Sequence, residues 1–227
     1  VKHDGKIAAV ILTPYHHATF APSELPSDSY WKEVEATCNR YGSLLVLDDV
    51  RCGGRLHTGG SHRYFGFTPD LAVYSKALGN GYAISACVGK EAYRKPSMEV
   101  FLTGSCWNDA LSMAAALKSL ELSERENVAD TVLQKGTLLG EGLERVAGDR
   151  GQALRMTGPP SMPYPWFEGD ENLFKIQTFC RFCAVEGIYF HPHHNWFLSN
   201  AHDDESIDQA VAVADRALDR ISSEENA

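Results

Sequence analysis

The sequence predicts an α/β protein with a parallel or mixed sheet, followed by a smaller α+β domain at its C-terminal end. Residues 44–47 and 71–74 are short runs of apolar side chains that stop abruptly at polar residues. Buried parallel strands have this pattern, because both faces are covered and polar side chains begin at the carboxyl edge of the sheet. A third apolar run, at residues 7–13, is separated from residues 44–47 by a helical stretch. A right-handed crossover makes those two strands parallel, so the predicted architecture is doubly wound α/β.

The first half of the chain is predicted to alternate between strands and helices. Residues 7–13 form a strand that ends at Pro14, and residues 30–41 form a helix with Trp31, Val34 and Cys38 on one face. Gly42 is the expected C-cap of that helix. A glycine-dense loop at residues 51–60 separates the next two strands, and a fourth apolar strand is expected at residues 84–89.

The second half is predicted to be helical up to a change in composition. Residues 109–122 form a helix with a small-residue face, and a second helix follows Ser123. From Asp149 onward glycine and proline become frequent, which indicates a boundary. A helix at 171–186, a strand at 188–191, a histidine-rich turn and a final helix at 204–221 are then expected. The predicted division is residues 1–122 as part of a large domain, 123–148 as a linking helix and 149–227 as a small domain.

Composition and charge exclude several functional classes. The 227 residues are 44% hydrophobic and 22% charged, as in ordinary soluble globular proteins. The formal net charge of −9 disfavours nucleic-acid binding, because a phosphate backbone requires a basic face. No apolar run approaches the roughly 20 residues that span a bilayer, and no secretory signal opens the chain. We therefore expect a cytoplasmic protein that binds neither nucleic acid nor membrane.

Two groups of side chains have spacings that metal sites use. Cys180 and Cys183 lie in a predicted helix without a second ligand pair, so reduced, core-facing thiols are the better interpretation. His191, His193 and His194 have no carboxylate or cysteine at ligand spacing. No metal site is predicted.

His16 and His17 follow the first predicted strand, at the edge of the sheet where ligands bind in such folds. Adjacent histidines cannot face the same way, so at most one of them enters a site, and the other is solvated or part of the scaffold. Both are candidates for the substrate pocket on this basis.

A carboxylate and a lysine follow neighbouring predicted strands. Asp48 ends the second strand, and Lys76 follows the third, flanked by Ser75 and by a glycine-rich turn from Gly79 to Gly81. Burying both charged groups is costly unless a ligand uses them. Pyridoxal phosphate (PLP) uses both, because a lysine forms a Schiff base with its aldehyde and a carboxylate keeps its pyridine nitrogen protonated.

The residues around this pair match a family pattern at many positions in order. The matching stretches are residues 48–55, 59–60, 64–66, 68–71, 75–76 and 79–81. In these positions the chain resembles class III PLP-dependent aminotransferases, and within them the glutamate-1-semialdehyde aminomutase-like branch. The resemblance extends more weakly from Ile7 to the C-terminus. It implies a fold-type-I PLP-transferase large-domain part with a small C-terminal domain. The implied activity moves an amino group between a small-molecule amine or amino acid and a keto or aldehyde acceptor.

The resemblance also implies roles for single residues. Lys76 would form the Schiff base, Asp48 would pair with the pyridine nitrogen, and Val50 would pack on a face of the ring. Ser105 stands where the family commonly has threonine, whose hydroxyl reaches the phosphate of the neighbouring subunit's cofactor, and this implies a homodimer. Alternatively, Ser105 only belongs to a strand end and a helix N-cap. His194 stands where the aminomutases carry glutamate, so a substrate-pocket role and intermolecular transfer are favoured.

The resemblance covers the second half of the family's length. The turn that holds the phosphate and the aromatic residue that stacks on the ring belong to the half that would precede Val1. We therefore expect a C-terminal portion that needs the missing N-terminal portion or a complementary chain. A processed subunit, a split gene product and a truncated form all fit. An aminomutase, or a non-catalytic half-enzyme that serves as a partner subunit, is the alternative function.

Overall fold

The computed structural model describes residues 3, 5–17 and 19–225. These residues form two compact units. The first contains Val1–Pro14 and Pro26–Ala129, and the second contains Tyr15–Leu25 and Asp130–Ala227. Within the described ranges, no helix combines the length and the apolar character that crossing a membrane requires.

A four-stranded mixed sheet forms the centre of the first unit. Its strands lie side by side in chain order, and they are β1 (Ala9–Leu12), β2 (Leu44–Asp48), β3 (Leu71–Tyr74) and β4 (Ala86–Gly89). The first three strands are parallel, whereas β4 is antiparallel to β3. The predicted parallel or mixed sheet is confirmed.

Helix α1 (Tyr30–Tyr41) packs on one face of this sheet and has the predicted bounds. Side chains alternate between the two faces of a strand, and Leu45 and Leu47 of β2 are buried in the cluster that contains Trp31. Phe67 stacks on Trp31, with the ring centroids 4.0 Å apart. A one-residue shift of β2 would expose both leucines, so this apolar layer fixes the register of the strand.

Three further helices belong to the first unit: α2 (Ser61–Phe65), α3 (Arg94–Met98) and α4 (Ala110–Arg125). The carboxylate of Asp109 caps α4, because it accepts hydrogen bonds from the backbone N–H groups of Leu111 and Ser112 at 3.3 and 3.4 Å. The alternative that Ser105 belongs to a strand end and caps this helix is therefore wrong, since Ser105 lies in a turn four residues earlier.

The second unit combines helices with a two-stranded sheet, as expected for a small α+β domain. Its elements are α5 (Val128–Asp149), whose first two residues fall in the first unit, β5 (Leu154–Thr157), β6 (Tyr164–Phe167), α6 (Phe174–Val185) and α7 (Asp204–Glu225). Strands β5 and β6 are antiparallel. Cys180 and Cys183 are buried, unpaired thiols on α6.

The strand predicted at residues 188–191 is absent from the described structure, and the pair β5–β6 was not predicted. Phe190 stacks on Trp196 with centroids 4.1 Å apart, and the Trp196 N–H donates to the Pro163 carbonyl oxygen at 2.8 Å. Aromatic packing and isolated backbone bonds therefore hold this segment in place of a ladder. Strand β6 was missed because it contains Pro165, a residue that interrupts a strand pattern.

Candidate active site

The carboxyl ends of β2 and β3 bring the predicted carboxylate and lysine to one edge of the sheet. Asp48 is the last residue of β2 and pairs with Val73 of the parallel strand β3. The next backbone N–H, that of Asp49, donates to the Val73 carbonyl oxygen at 2.9 Å. Lys76 lies two residues after the end of β3. The register therefore places Asp48 and Lys76 on adjacent strand ends.

Asp48 and Asp49 lie on opposite faces of the sheet. Asp49 is 0% exposed and continues the buried series of Leu45 and Leu47, whereas Asp48 is half-buried on the other face. An Asp48 carboxylate oxygen accepts the backbone N–H of Val50 at 3.2 Å, which orients the carboxylate. Val50 itself is half-buried and lies in the turn just beyond β2.

Lys76 has a left-handed backbone, with φ of 47°, in the 3₁₀ turn Lys76–Leu78. This conformation is strained for a residue with a Cβ atom, and strain of this kind is concentrated at functional sites. Two hydroxyl groups support the turn: Ser75 donates to the Ile84 carbonyl oxygen at 2.8 Å, and Ser119 donates to the Ala77 carbonyl oxygen at 3.1 Å. These two hydrogen bonds, made by the residues before and after Lys76, stabilise the strained turn.

The expectation that the lysine is buried is wrong for the described residues, because Lys76 is exposed. Only one face of the sheet carries the α1 layer. On the other face, Ile11 is 61% exposed although it pairs with Val46 of the central strand β2. The side of the sheet that carries Asp48 is therefore largely uncovered by the described chain.

The remaining predicted residues are distributed over both units. Ser105 is exposed in the turn before α4 of the first unit, whereas His16, His17 and His194 belong to the second unit. The Nδ1 atom of His17 is 3.2 Å from the Tyr15 carbonyl oxygen. His194 is half-buried and lines a cavity of about 490 Å³ within the second unit. Among the described residues, no three His, Cys, Asp or Glu side chains are grouped to hold a metal ion.

A feature that the sequence analysis missed lies beneath this edge of the sheet. The buried Asp49 carboxylate accepts the Ser61 backbone N–H at 2.8 Å, across the glycine-dense loop. Burial raises the pKa of Asp49, and the hydrogen bond from the Ser61 backbone N–H opposes that shift only in part. The signal for this contact was present in the sequence, as an acidic pair at a strand end before a loop dense in glycine.

Comparison with known proteins identifies the family to which this geometry belongs. A family model described as aminotransferase class-III matches residues 1–197. The chain belongs to the class III aminotransferase family. It is 36% identical over 219 residues to the aminopentol aminotransferase of Sphingopyxis macrogoltabida, an alignment that covers 96% of this chain and 52% of that protein. It is 30% identical over 235 residues to the glutamate-1-semialdehyde 2,1-aminomutase of Natranaerobius thermophilus, covering 96% of this chain and 54% of that protein.

A solved structure extends the family assignment to the fold. The structure of the PLP internal aldimine form of the Sphingopyxis sp. MTA144 FumI protein superimposes on this class III chain with a TM-score of 0.95 and 34% sequence identity. The superposition covers 100% of this chain and 55% of that protein. The predicted fold-type-I transferase architecture is thereby confirmed. This chain spans about half the length of the relatives it matches.

Proposed function

We propose that this chain is the lysine-bearing part of a PLP-dependent aminotransferase. The enzyme would move an amino group between a small-molecule amine or amino acid and a keto or aldehyde acceptor. The observation that carries the proposal is the strained Lys76, held one strand away from the Asp48 carboxylate at a common sheet edge. A left-handed backbone is uncommon for a residue with a Cβ atom, and such strain is concentrated at functional sites.

The residues present fit the chemical groups of PLP. Its aldehyde requires an accessible amine, which Lys76 supplies, and its pyridine nitrogen requires a carboxylate, which Asp48 supplies. Its phosphate requires hydroxyl and N–H donors, and Ser105 offers an exposed hydroxyl. When bound, PLP supplies an electron sink that stabilises negative charge on the substrate carbon.

Each residue then has a defined task. The Asp48 carboxylate keeps a proton on the pyridine nitrogen, because an anion close to a cationic nitrogen favours the protonated form. With PLP and substrate bound, the neutral Lys76 amine would act as the base that takes a proton from the substrate carbon and as the acid that returns it. Val50, half-buried just beyond β2, would supply an apolar contact that excludes water from the bound cofactor.

Intermolecular transfer is favoured over an internal mutase reaction. His194 stands at the position where, by the resemblance, aminomutases carry glutamate, and an imidazole does not reproduce a carboxylate's charge. Identity to the aminopentol aminotransferase is 36%, against 30% for the aminomutase. We therefore propose separate amine donor and acceptor molecules, with His16, His17 and His194 as substrate-pocket candidates.

A complementary portion is proposed to complete the site. The exposed apolar side chains on the uncovered sheet face, such as Ile11, require a covering layer. The relatives are about twice as long as this chain, and their remaining half is the natural source of that layer and of the phosphate-binding turn. All six cysteines are free, which suits the reducing cytoplasm that we propose as the location.

A homodimer is proposed through helix α4. Its Ser112 and Ala116 are buried, whereas Met113, Leu117 and Leu120 form an exposed stripe at helical spacing. The preceding segment, residues 98–107, exposes five further large apolar side chains, namely Met98, Val100, Phe101, Leu102 and Trp107. A second copy of the chain would cover these apolar side chains in a two-fold dimer, and Ser105 lies in the same segment.

The test is a covalent map of the cofactor. The chain, completed with its N-terminal portion, is loaded with PLP, treated with borohydride and digested for mass mapping. We expect the pyridoxyl group on Lys76, loss of the visible PLP band in Lys76→Ala, and no change in Lys95→Ala, an exposed lysine of α3 that serves as the control. A label on another lysine would refute the assignment. A colourless protein that accepts no amine donor would favour the partner-subunit alternative.

A further inference from the structure

The loop at residues 50–60 connects the two strand ends that carry the candidate catalytic groups. It begins where the Val50 N–H donates to the Asp48 carboxylate at 3.2 Å. It ends where the Ser61 N–H donates to the Asp49 carboxylate at 2.8 Å. Two adjacent aspartates, pointing to opposite faces of the sheet, thus hold the two ends of one loop.

The Asp49 side chain is unusually placed for a surface loop anchor. It is fully buried, and its Oδ1 atom has no hydrogen-bond partner among the described residues. Burying a carboxylate is costly, and the hydrogen bond from the Ser61 N–H offsets part of that cost. The Asp49 carbonyl oxygen also accepts the Gly53 N–H at 2.9 Å, which ties a second point of the loop to the same residue.

The loop also packs against the strand that leads to Lys76. A Cβ atom added at Gly53 would lie 2.6 Å from the Tyr74 ring, and one added at Gly60 would meet the Tyr74 hydroxyl. Glycine at these positions therefore allows the loop backbone to approach Tyr74, two residues before Lys76. Any displacement of the loop is transmitted both to the Asp48 carboxylate and to the strand end of Lys76.

We propose that Asp49 is a positioning residue of the cofactor site, which holds the loop at residues 50–60 in place through the Ser61 N–H and thereby orients Asp48. This inference rests on the proposed PLP-dependent function. Asp49 does not contact the cofactor itself, because it lies on the opposite face from Asp48. The contribution of Asp49 depends on its accepting a hydrogen bond. A residue that acted through its negative charge would instead lose its effect when replaced by asparagine.

Four variants isolate this hydrogen bond. Asp49→Ala removes the acceptor, whereas Asp49→Asn retains a carbonyl oxygen that can accept the same N–H. Ser61→Pro removes the donor. Because the Ser61 N–H lies 2.8 Å from the Asp49 carboxylate, the proline ring also displaces that carboxylate, and the double variant with Asp49→Ala relieves this contact. Ser61→Ala is the matched control, because it keeps the N–H and removes only the hydroxyl.

The measurements are the dissociation constant for PLP in the completed protein and hydrogen–deuterium exchange of residues 50–61 in the cofactor-free protein. We expect PLP to bind about tenfold more weakly in Asp49→Ala and Ser61→Pro, with faster exchange in the loop, since a hydrogen bond to a charged group is lost. Asp49→Asn and Ser61→Ala should stay within about threefold of the parent, because the hydrogen bond persists. The double variant Asp49→Ala/Ser61→Pro should be no worse than either single change.

Two results would overturn the inference: equal losses in Asp49→Asn and Asp49→Ala, or fully additive losses in the double variant. If Asp49→Ala does not fold, the comparison of Ser61→Pro with Ser61→Ala decides in the same way. Failure of the proposed function would be recognised separately, because the parent protein would then show no pyridoxyl label on Lys76 while the exchange measurement would still report on the loop anchor.

Discussion

Replacing Lys76 with glycine is expected to stabilise the protein while it removes the reactive amine. A left-handed backbone costs a residue with a Cβ atom about 1–2 kcal/mol, and glycine does not pay this penalty. Glycine in turn loses about 0.5–1 kcal/mol through the greater freedom of the unfolded chain. The Lys76 backbone has φ of 47°. Because the Lys76 side chain is exposed, removing it costs little packing energy. The net gain is about 0.5–1 kcal/mol in the free energy of unfolding.

Lys76→Ala is the matched comparison for this prediction. Alanine removes the same amine but keeps the Cβ atom, so its stability should stay within about 0.5 kcal/mol of the parent. Thermal unfolding of the cofactor-free proteins should therefore rank glycine above alanine by about 1–4 °C. Both variants should lose amino transfer. A glycine variant less stable than the alanine variant would show that the Lys76 turn is not strained, and the main support for its catalytic role would be lost.

The remaining predictions concern charge, assembly and acid stability. Asp48→Asn should slow amino transfer by about 10–1000-fold, which is the equivalent of one to three pKa units at the pyridine nitrogen. Asp49→Asn should slow it less. Equal losses in steady-state kinetics would show that the register assigned to β2 is wrong. Leu117 is the most exposed residue of the α4 stripe, at 70%, and Leu117→Glu should shift sedimentation toward the monomer. An unchanged profile would place the dimer interface elsewhere. Burial raises the pKa of Asp70, but hydrogen bonds from the Leu45 N–H and from Lys90 outweigh it, so the pKa is lowered. That stabilisation is present above the unfolded-state pKa of about 4 and is lost as the pH falls through the folded-state pKa. Lys90→Met should therefore move the midpoint of acid unfolding, measured by circular dichroism, to higher pH. An unchanged midpoint would contradict a stabilising ion pair between Lys90 and Asp70.

The sheet and the edge that carries the site were predictable because both depend on local chemical patterns. Continuous apolar runs that end at Asp48 and just before Lys76 are typical of buried parallel strands. The parity of side chains along a strand then separates Asp48 from Asp49 without any structure. By contrast, the strand proposed at residues 188–191 failed, because stacking of Phe190 on Trp196 competes with ladder formation and leaves no local signature.

The sequence by itself determined the fold class, the order of the elements of the large sheet and the pairing of an acidic with a lysine-bearing strand end. These follow from periodicity and from turn residues, which act over a few positions. Only the tertiary structure revealed that Lys76 is exposed and backbone-strained, that Asp109 caps α4, and that Asp49 holds Ser61 across a loop. Each of these depends on atoms that are brought together in space by the packing of the whole unit, and no pattern of neighbouring residues specifies how much of a side chain the rest of the fold will cover.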